Sequence, residues 1–107
     1  MNIIVLGAGT FGTAIANELS VNTQNTVILF SRNDNKVHEI NDFHTNKSCF
    51  PNKRLSENLN ASSNDSIMKK ADVIFIAIPS NSIIQSLSKY KDNFNSKTLF
   101  VNLSKGF

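Results

Sequence analysis

At 107 residues and 40% hydrophobic, the chain is long enough for one globular domain with an ordinary core and is not disordered. Its formal charge of +3 comes from 11 Lys and Arg against 8 Asp and Glu. These are scattered without a block of like charges, so no nucleic-acid surface is expected. No run approaches the roughly 18 apolar residues of a membrane span, and the start lacks the basic and cleavage features of a secretory signal, so a cytoplasmic location is the expectation. Cys49 is the single cysteine, which excludes an internal disulfide, offers no metal-ligand spacing and reads as a passive thiol.

The chain opens on Asn2 to Leu6, whose Ile3, Ile4, Val5 and Leu6 form the short apolar run of a parallel strand buried on both faces. Gly7, Gly9 and Gly12 follow in the spacing G-x-G-x-x-G. Gly7 is expected to allow the tight turn, Gly9 the approach of a pyrophosphate to the backbone, and Gly12 the close packing of helix on strand, with no room for a Cβ at any of the three. From Thr10 to Ser20, Phe11, Ile15 and Leu19 recur at helical spacing with Ala14 and Ala16 between them. The N-terminus of that helix would point at bound phosphates, where unpaired N–H groups and the helix dipole favour an anion. Such a glycine pattern is weak alone and becomes specific only between a strand and a helix, which is its setting here.

After polar residues Asn22 to Asn25, Thr26 to Phe30 supplies a second apolar strand and completes a strand-helix-strand unit. The end of that strand lies beside the adenosine ribose in dinucleotide-binding folds, where a carboxylate favours a free 2′-hydroxyl and an arginine accommodates a 2′-phosphate. Ser31, Arg32 and Asn33 stand there, so NADP(H) should be accepted at least as well as NAD(H). Asp34 keeps NAD(H) in play, and a solvated Arg32 with no ligand is the plainer alternative. Asp34 to His44 reads as a short helix that covers the sheet through Val37, Ile40 and Asn41. Thr45 to Arg54 is loop, Leu59 to Ser62 a brief edge strand, and Asn64 the N-cap of a short helix through Ile67, Met68 and Ala71. Asp72 to Ile78 is a second central strand. It ends in Pro79-Ser80, read either as a turn across the ligand crevice or as a connector in which Ser80 caps the helix Asn81 to Tyr90, with Ile83, Ile84 and Leu87 inward. Thr98 to Leu103 is the last strand, and Lys105-Gly106 follows at the ligand-binding rim. The expected fold is α/β, a Rossmann-like doubly wound parallel sheet.

With these pieces placed, the pattern resembles the NAD(P)-dependent glycerol-3-phosphate dehydrogenases of bacterial type along the whole of Asn2 to Phe107. The matching stretches are GAGTFGTAIA at Gly7 to Ala16, FSRN at Phe30 to Asn33, the loop Asn46 to Asn64, FIAIPS at Phe75 to Ser80 and NLSKGF at Asn102 to Phe107. The last two are the more specific. The glycine turn and the strand end put Gly7, Gly9, Gly12 and Pro79 at the cofactor. The resemblance implies cofactor contacts at Thr10 and Phe11, Arg32 at the adenosine end, and Lys105 touching both cofactor and substrate, where its charge would serve catalysis. The loop departs from the family, with Cys49-Phe50-Pro51-Asn52 and Leu55-Ser56 in place of an aromatic-Leu-Pro-Gly run and Leu-Pro.

The implied reaction is reversible hydride transfer between NAD(P)H and dihydroxyacetone phosphate, giving sn-glycerol 3-phosphate for phospholipid synthesis. A cation near the ketone oxygen and a nearby acid are what that chemistry requires. Family members continue into a helical domain that holds the substrate phosphate and supplies another lysine, and full-length members are possible homodimers. Residues 1–107 are therefore expected to bind dinucleotide without turning over substrate. The rival readings are a hydroxy-acid or ketopantoate-type dehydrogenase, and a non-catalytic dinucleotide-sensing module indifferent to Lys105.

Overall fold

The computed structural model describes residues 1–78 and 83–103, with the side chains of Ile83 and Ile84 outside that description. Five strands form one sheet: β1 (Asn2–Leu6), β2 (Thr26–Phe30), β3 (Leu59–Ser62), β4 (Val73–Ile76) and β5 (Leu99–Asn102). Their order is β3-β2-β1-β4-β5 and every pairing is parallel. The order reverses at β1, so crossovers leave it in both directions and a crevice opens at the carboxyl ends of β1 and β4. Here the sequence and the structure agree on a doubly wound Rossmann-type sheet.

Strand alternation sorts the apolar residues into two layers. Ile3, Val5, Val27, Leu29 and Leu59 face α1 (Thr10–Val21) and α2 (Asp34–Phe43), and bury against Ala16 and Ile40. Ile4, Leu6, Phe30, Ile74 and Ile76 face the other way, toward Met68, Ala71 and Tyr90, the last closing α3 (Ile83–Tyr90). Each such buried aliphatic contributes about 1.5–3 kcal/mol. Both faces of the central strands are covered, which is why their sequences are continuously apolar.

Several elements differ from the sequence reading. The strand expected over Asp72 to Ile78 is confined to Val73–Ile76, and the last strand to Leu99–Asn102. The helix after Asn64 is a 3-10 helix, Asp65–Lys70, with Asn64 accepting the Ser66 amide as foreseen and Ala71 as its C-terminal cap. In α1 the residues most deeply buried are Gly12, Thr13, Ala16, Asn17 and Ser20, while Phe11 is 55% exposed and Ile15 and Leu19 are only half-buried. The inward face of this helix is chosen by small size. The expected inward placement of Ile83 and Ile84, the role of Pro79 and the cap at Ser80 lie outside the described residues; Leu87 does pack against the core.

At the outer edge of β3, the Asn41 side chain of α2 stands in for a sixth strand. Its Nδ2 donates to the Ala61 carbonyl at 2.9 Å and its Oδ1 accepts the Ala61 amide at 2.8 Å. One amide thus satisfies both main-chain groups that an edge strand would leave open at that residue. Asn41→Ala should lower unfolding free energy by about 1–3 kcal/mol in a urea titration, through the two Ala61 groups left unpaired.

Candidate functional site

The site is built where β1 hands over to α1. Gly7 adopts φ +109, and its amide donates to the Phe30 carbonyl at 3.1 Å, tying the turn to the end of β2. A Cβ on Gly7 would lie 2.7 Å from the Ala77 carbonyl oxygen, and one on Gly12 would collide with the Gly7 carbonyl oxygen. These two glycines are required by the protein itself. Gly9 is different: a Cβ there meets no atom of the described residues within 4 Å, which corrects the expectation that they exclude one. Packing of the described residues does not by itself require glycine at this position.

Gly9 is the N-cap of α1 and provides no side-chain hydrogen bond to it, nor does the first turn hold an acidic residue. The first bond of the helix runs from the Thr13 amide to the Gly9 carbonyl at 3.0 Å. The amides of Gly9, Thr10 and Phe11 therefore precede the helical ladder, and all three residues are exposed. Together with the dipole, such a helix start is of the kind that favours an anion.

Beside it lies a cleft of about 320 Å³ lined by Leu6, Gly7, Phe30, Arg32, Ile78 and Tyr90. A second cleft of about 280 Å³ shares Phe30, Arg32 and Tyr90 and adds Asp34, Asp65 and Lys89. Arg32 stands at their junction, set there by neighbours with structural tasks. Ser31 is buried, and its hydroxyl accepts the Asn33 amide at 3.1 Å. Asn33 caps α2 by accepting the amides of Asn35 and Lys36. Among the described residues the ion pairs are His38–Asp42 and Arg54–Glu57, both on the surface, so neither Asp34 nor Asp65 neutralises Arg32. The structure brings Gly7, Gly9, Thr10, Phe11, Gly12 and Arg32 to one rim. Pro79 and Lys105 lie outside the described residues.

Sequence reading gave α2 only the task of covering the sheet, and missed a polar layer behind the glycine turn. Lys36 of α2 donates from Nζ to the Ala8 carbonyl at 3.0 Å. Asn46, fully buried, donates from Nδ2 to the same oxygen at 3.2 Å and to the Thr13 hydroxyl at 3.0 Å. Cys49, read as passive, has its Sγ 3.8 Å from that oxygen. Two signals for Lys36 were present: it sits in the first turn of a helix, where the dipole disfavours a cation, and four residues before core Ile40, on the same helical face. No periodicity marks Asn46.

The loop carrying Asn46 is fastened at both ends. Glu39 accepts the Thr45 hydroxyl at 2.7 Å and the Lys47 amide at 2.8 Å, and Asn17 of α1 accepts the Ser56 amide at 2.7 Å. The Lys47 amide, then the Thr45 hydroxyl, hold the Glu39 carboxyl below its ordinary value against a small opposing effect of burial, with the charges of Lys47 and Lys36 adding to the lowering.

A parallel sheet of this order, with a glycine turn leading into an uncapped helix at the point where the order reverses, defines a Rossmann-type domain, the class that takes dinucleotides at that rim. The chain belongs to the family of NAD-dependent glycerol-3-phosphate dehydrogenase N-terminal domains, whose family model matches residues 2–107. It is 39% identical over 106 residues to the glycerol-3-phosphate dehydrogenase [NAD(P)+] of Neorickettsia sennetsu, covering 99% of this chain and 31% of that relative. Among solved structures it is similar to the glycerol-3-phosphate dehydrogenase of Saccharomyces cerevisiae, with a TM-score of 0.90 at 25% identity over 100% of this chain and 34% of that one. The Coxiella burnetii enzyme follows with a TM-score of 0.81 at 26% identity, over 98% and 34%.

Two predictions come from this geometry. Gly12→Ala should destabilise the fold by about 1–3 kcal/mol because backbone must shift, whereas Gly9→Ala should leave the thermal midpoint near that of the parent and weaken anion binding; calorimetry of the pair with a nucleotide titration separates the two. A carboxyl whose folded pKa is depressed stabilises the fold above its unfolded pKa and loses that contribution as pH falls through the folded value. The Glu39 anchor is thus in force at neutral pH and released in acid. Glu39→Gln should flatten the acid-side decline in thermal midpoint between neutral pH and about pH 3.

Proposed function

We propose that this chain is the cofactor-binding part of an NAD(P)-dependent glycerol-3-phosphate dehydrogenase, serving reversible hydride transfer between NAD(P)H and dihydroxyacetone phosphate. The observation that carries this reading is the rim itself: a Gly9 with no described residue against its Cβ position, a helix start without a side-chain cap, and a cleft beside it with Arg32 at its mouth. The spacing suits a dinucleotide, with the diphosphate against the amides of Gly9, Thr10 and Phe11, and the adenosine toward Phe30, Arg32 and Tyr90. Gly7 and Gly12 shape the turn that presents those amides, and Pro79 is assigned a cofactor contact from its place in the sequence, where the β4 run ends at the ligand crevice.

The nicotinamide supplies the hydride when bound. For the chain's own residues, Lys105 is assigned the role of a cation near substrate and cofactor, since reduction of a ketone places negative charge on its oxygen. β5 ends at Asn102 on the same rim as Gly7, because every strand runs the same way, and Lys105 follows shortly along the chain. The chain spans 31% of the length of the Neorickettsia relative. The acid that delivers the proton and the contacts to the substrate phosphate are assigned to the remainder of such proteins, as is any dimer contact. A cytoplasmic setting and supply of glycerol 3-phosphate to phospholipid synthesis complete the reading; no helix among the described residues is long and apolar enough to cross a membrane.

The test is a titration with NADPH and NADH followed by nicotinamide fluorescence, against a chain that contains no tryptophan. NADPH should bind at least as tightly as NADH, Arg32→Ala should weaken NADPH by about tenfold, a loss of one charge-assisted contact, and dihydroxyacetone phosphate should not be reduced by the chain alone. A folded sample that binds neither nucleotide would sink the proposal.

A further inference from the structure

The Ala8 carbonyl lies between Gly7 and Gly9, and three side chains from elsewhere in the fold converge on its oxygen: Lys36 Nζ at 3.0 Å, Asn46 Nδ2 at 3.2 Å and Cys49 Sγ at 3.8 Å. A carbonyl oxygen has two lone pairs, so the two nitrogen donors fill it. The concentration of donors on one peptide of the glycine turn has a geometric consequence. There are no cis peptide bonds among the described residues, and in a trans peptide the C=O and the following N–H point in opposite directions. Drawing the Ala8 oxygen inward toward Lys36 and Asn46 turns the Gly9 N–H the opposite way, outward from that polar layer, at a residue that is itself exposed.

There is an electrostatic consequence as well. A charged donor on the carbonyl polarises the peptide, and hydrogen bonds made by its two ends strengthen one another. The Lys36 charge is thereby relayed to the Gly9 N–H without Lys36 reaching the rim. This also accounts for a lysine in the first turn of α2, where the helix dipole disfavours it: its ammonium leaves that helix to meet a carbonyl of the glycine turn. Asn46 fixes the same oxygen and also takes the Thr13 hydroxyl as acceptor, so the clamp grips both the turn and the first turn of α1.

We propose that Lys36 is a positioning residue for the diphosphate of a dinucleotide, acting through the Ala8–Gly9 peptide and aided by Asn46. The inference rests on the dinucleotide reading above, and it assigns Lys36 to the diphosphate common to NADH and NADPH. Arg32, in contrast, faces the end at which those two cofactors differ.

The test compares the parent chain with Lys36→Met, which keeps the length and helix propensity of the side chain, and Lys36→Arg, which keeps the cation. In the nucleotide-free chains the Gly9 amide should shift in the ¹H–¹⁵N spectrum of Lys36→Met and return toward the parent position in Lys36→Arg. Lys36→Met should weaken NADH and NADPH alike by about tenfold, leaving their ratio unchanged, and Lys36→Arg should recover most of that loss. If the parent binds both nucleotides and Lys36→Met binds them equally well, or loses NADPH alone, the relay is overturned while the dinucleotide reading stands. An affinity loss without any change at the Gly9 amide would also overturn it, as would a loss that Lys36→Arg does not repair. If the parent binds neither nucleotide, the dinucleotide reading fails and the inference fails with it.

Discussion

The closeness of α1 to the end of β1 constrains everything around it. Gly12 packs on the Gly7 carbonyl with no room for a methyl group, and Gly7 itself turns at φ +109 against the Ala77 carbonyl. Three backbone segments, the ends of β1 and β4 and the start of α1, are therefore locked together by contacts that admit no side chain. A helix anchored so tightly at its first turn cannot tilt away from the crevice, and its unpaired amides are presented at the rim between β1 and β4. The exposed amides at the start of α1 are a by-product of that packing, and no basic side chain at the rim is needed to present them.

The same closeness explains what was legible in the sequence. The strands could be read because each is a short apolar run buried on both faces, and the glycine spacing because two of its three positions are sterically compulsory. The face of α1 was read differently from its packing, since Phe11, Ile15 and Leu19 draw the eye as the hydrophobic stripe. Against a sheet this near, the layer beneath the helix accommodates Gly12, Thr13, Ala16 and Ser20, and the larger side chains are displaced to its flanks or, in Phe11, to the exposed rim. Where backbone approach is close, size outranks hydrophobicity in deciding which residues face inward.

The loop from Thr45 to Asn58 shows a different limit. It has no periodicity, yet Leu55 is in the core and Asn46 is fully buried. Its conformation is set by polar groups that must be satisfied once buried. Asn46 reaches Ala8 and Thr13, Asn17 takes the Ser56 amide, and Glu39 takes the Lys47 amide. Every one of these partners is distant in sequence or reached across a turn. A pattern of residue types along the chain carries no trace of such pairings, so the loop could be named as a loop but its grip on the glycine turn could not be foreseen. The departures of this loop from the resemblance, in Cys49-Phe50-Pro51-Asn52 and Leu55-Ser56, leave those polar fastenings intact; Ser56 even supplies one of them.

On the proposed reading, charge balance at the adenosine end has its own logic. The cleft that meets Arg32 also holds Lys89, Asp34 and Asp65, so two cations face two carboxylates across about 280 Å³. Among the described residues none of the four is joined in an ion pair, and the Lys89 ammonium lies 5.9 Å from the Tyr90 ring centroid. A cleft dominated by carboxylates would repel a 2′-phosphate, and one dominated by cations would leave a bare 2′-hydroxyl without an acceptor. A mixed and unpaired set offers a partner to either: guanidinium and ammonium to the phosphate, carboxylate to the hydroxyl. Because these side chains are solvated, each alternative is favoured only modestly. Discrimination between the two cofactors is then set by the small difference between such contacts, while the affinity common to both is carried by the diphosphate site, where the backbone of the glycine turn is fixed.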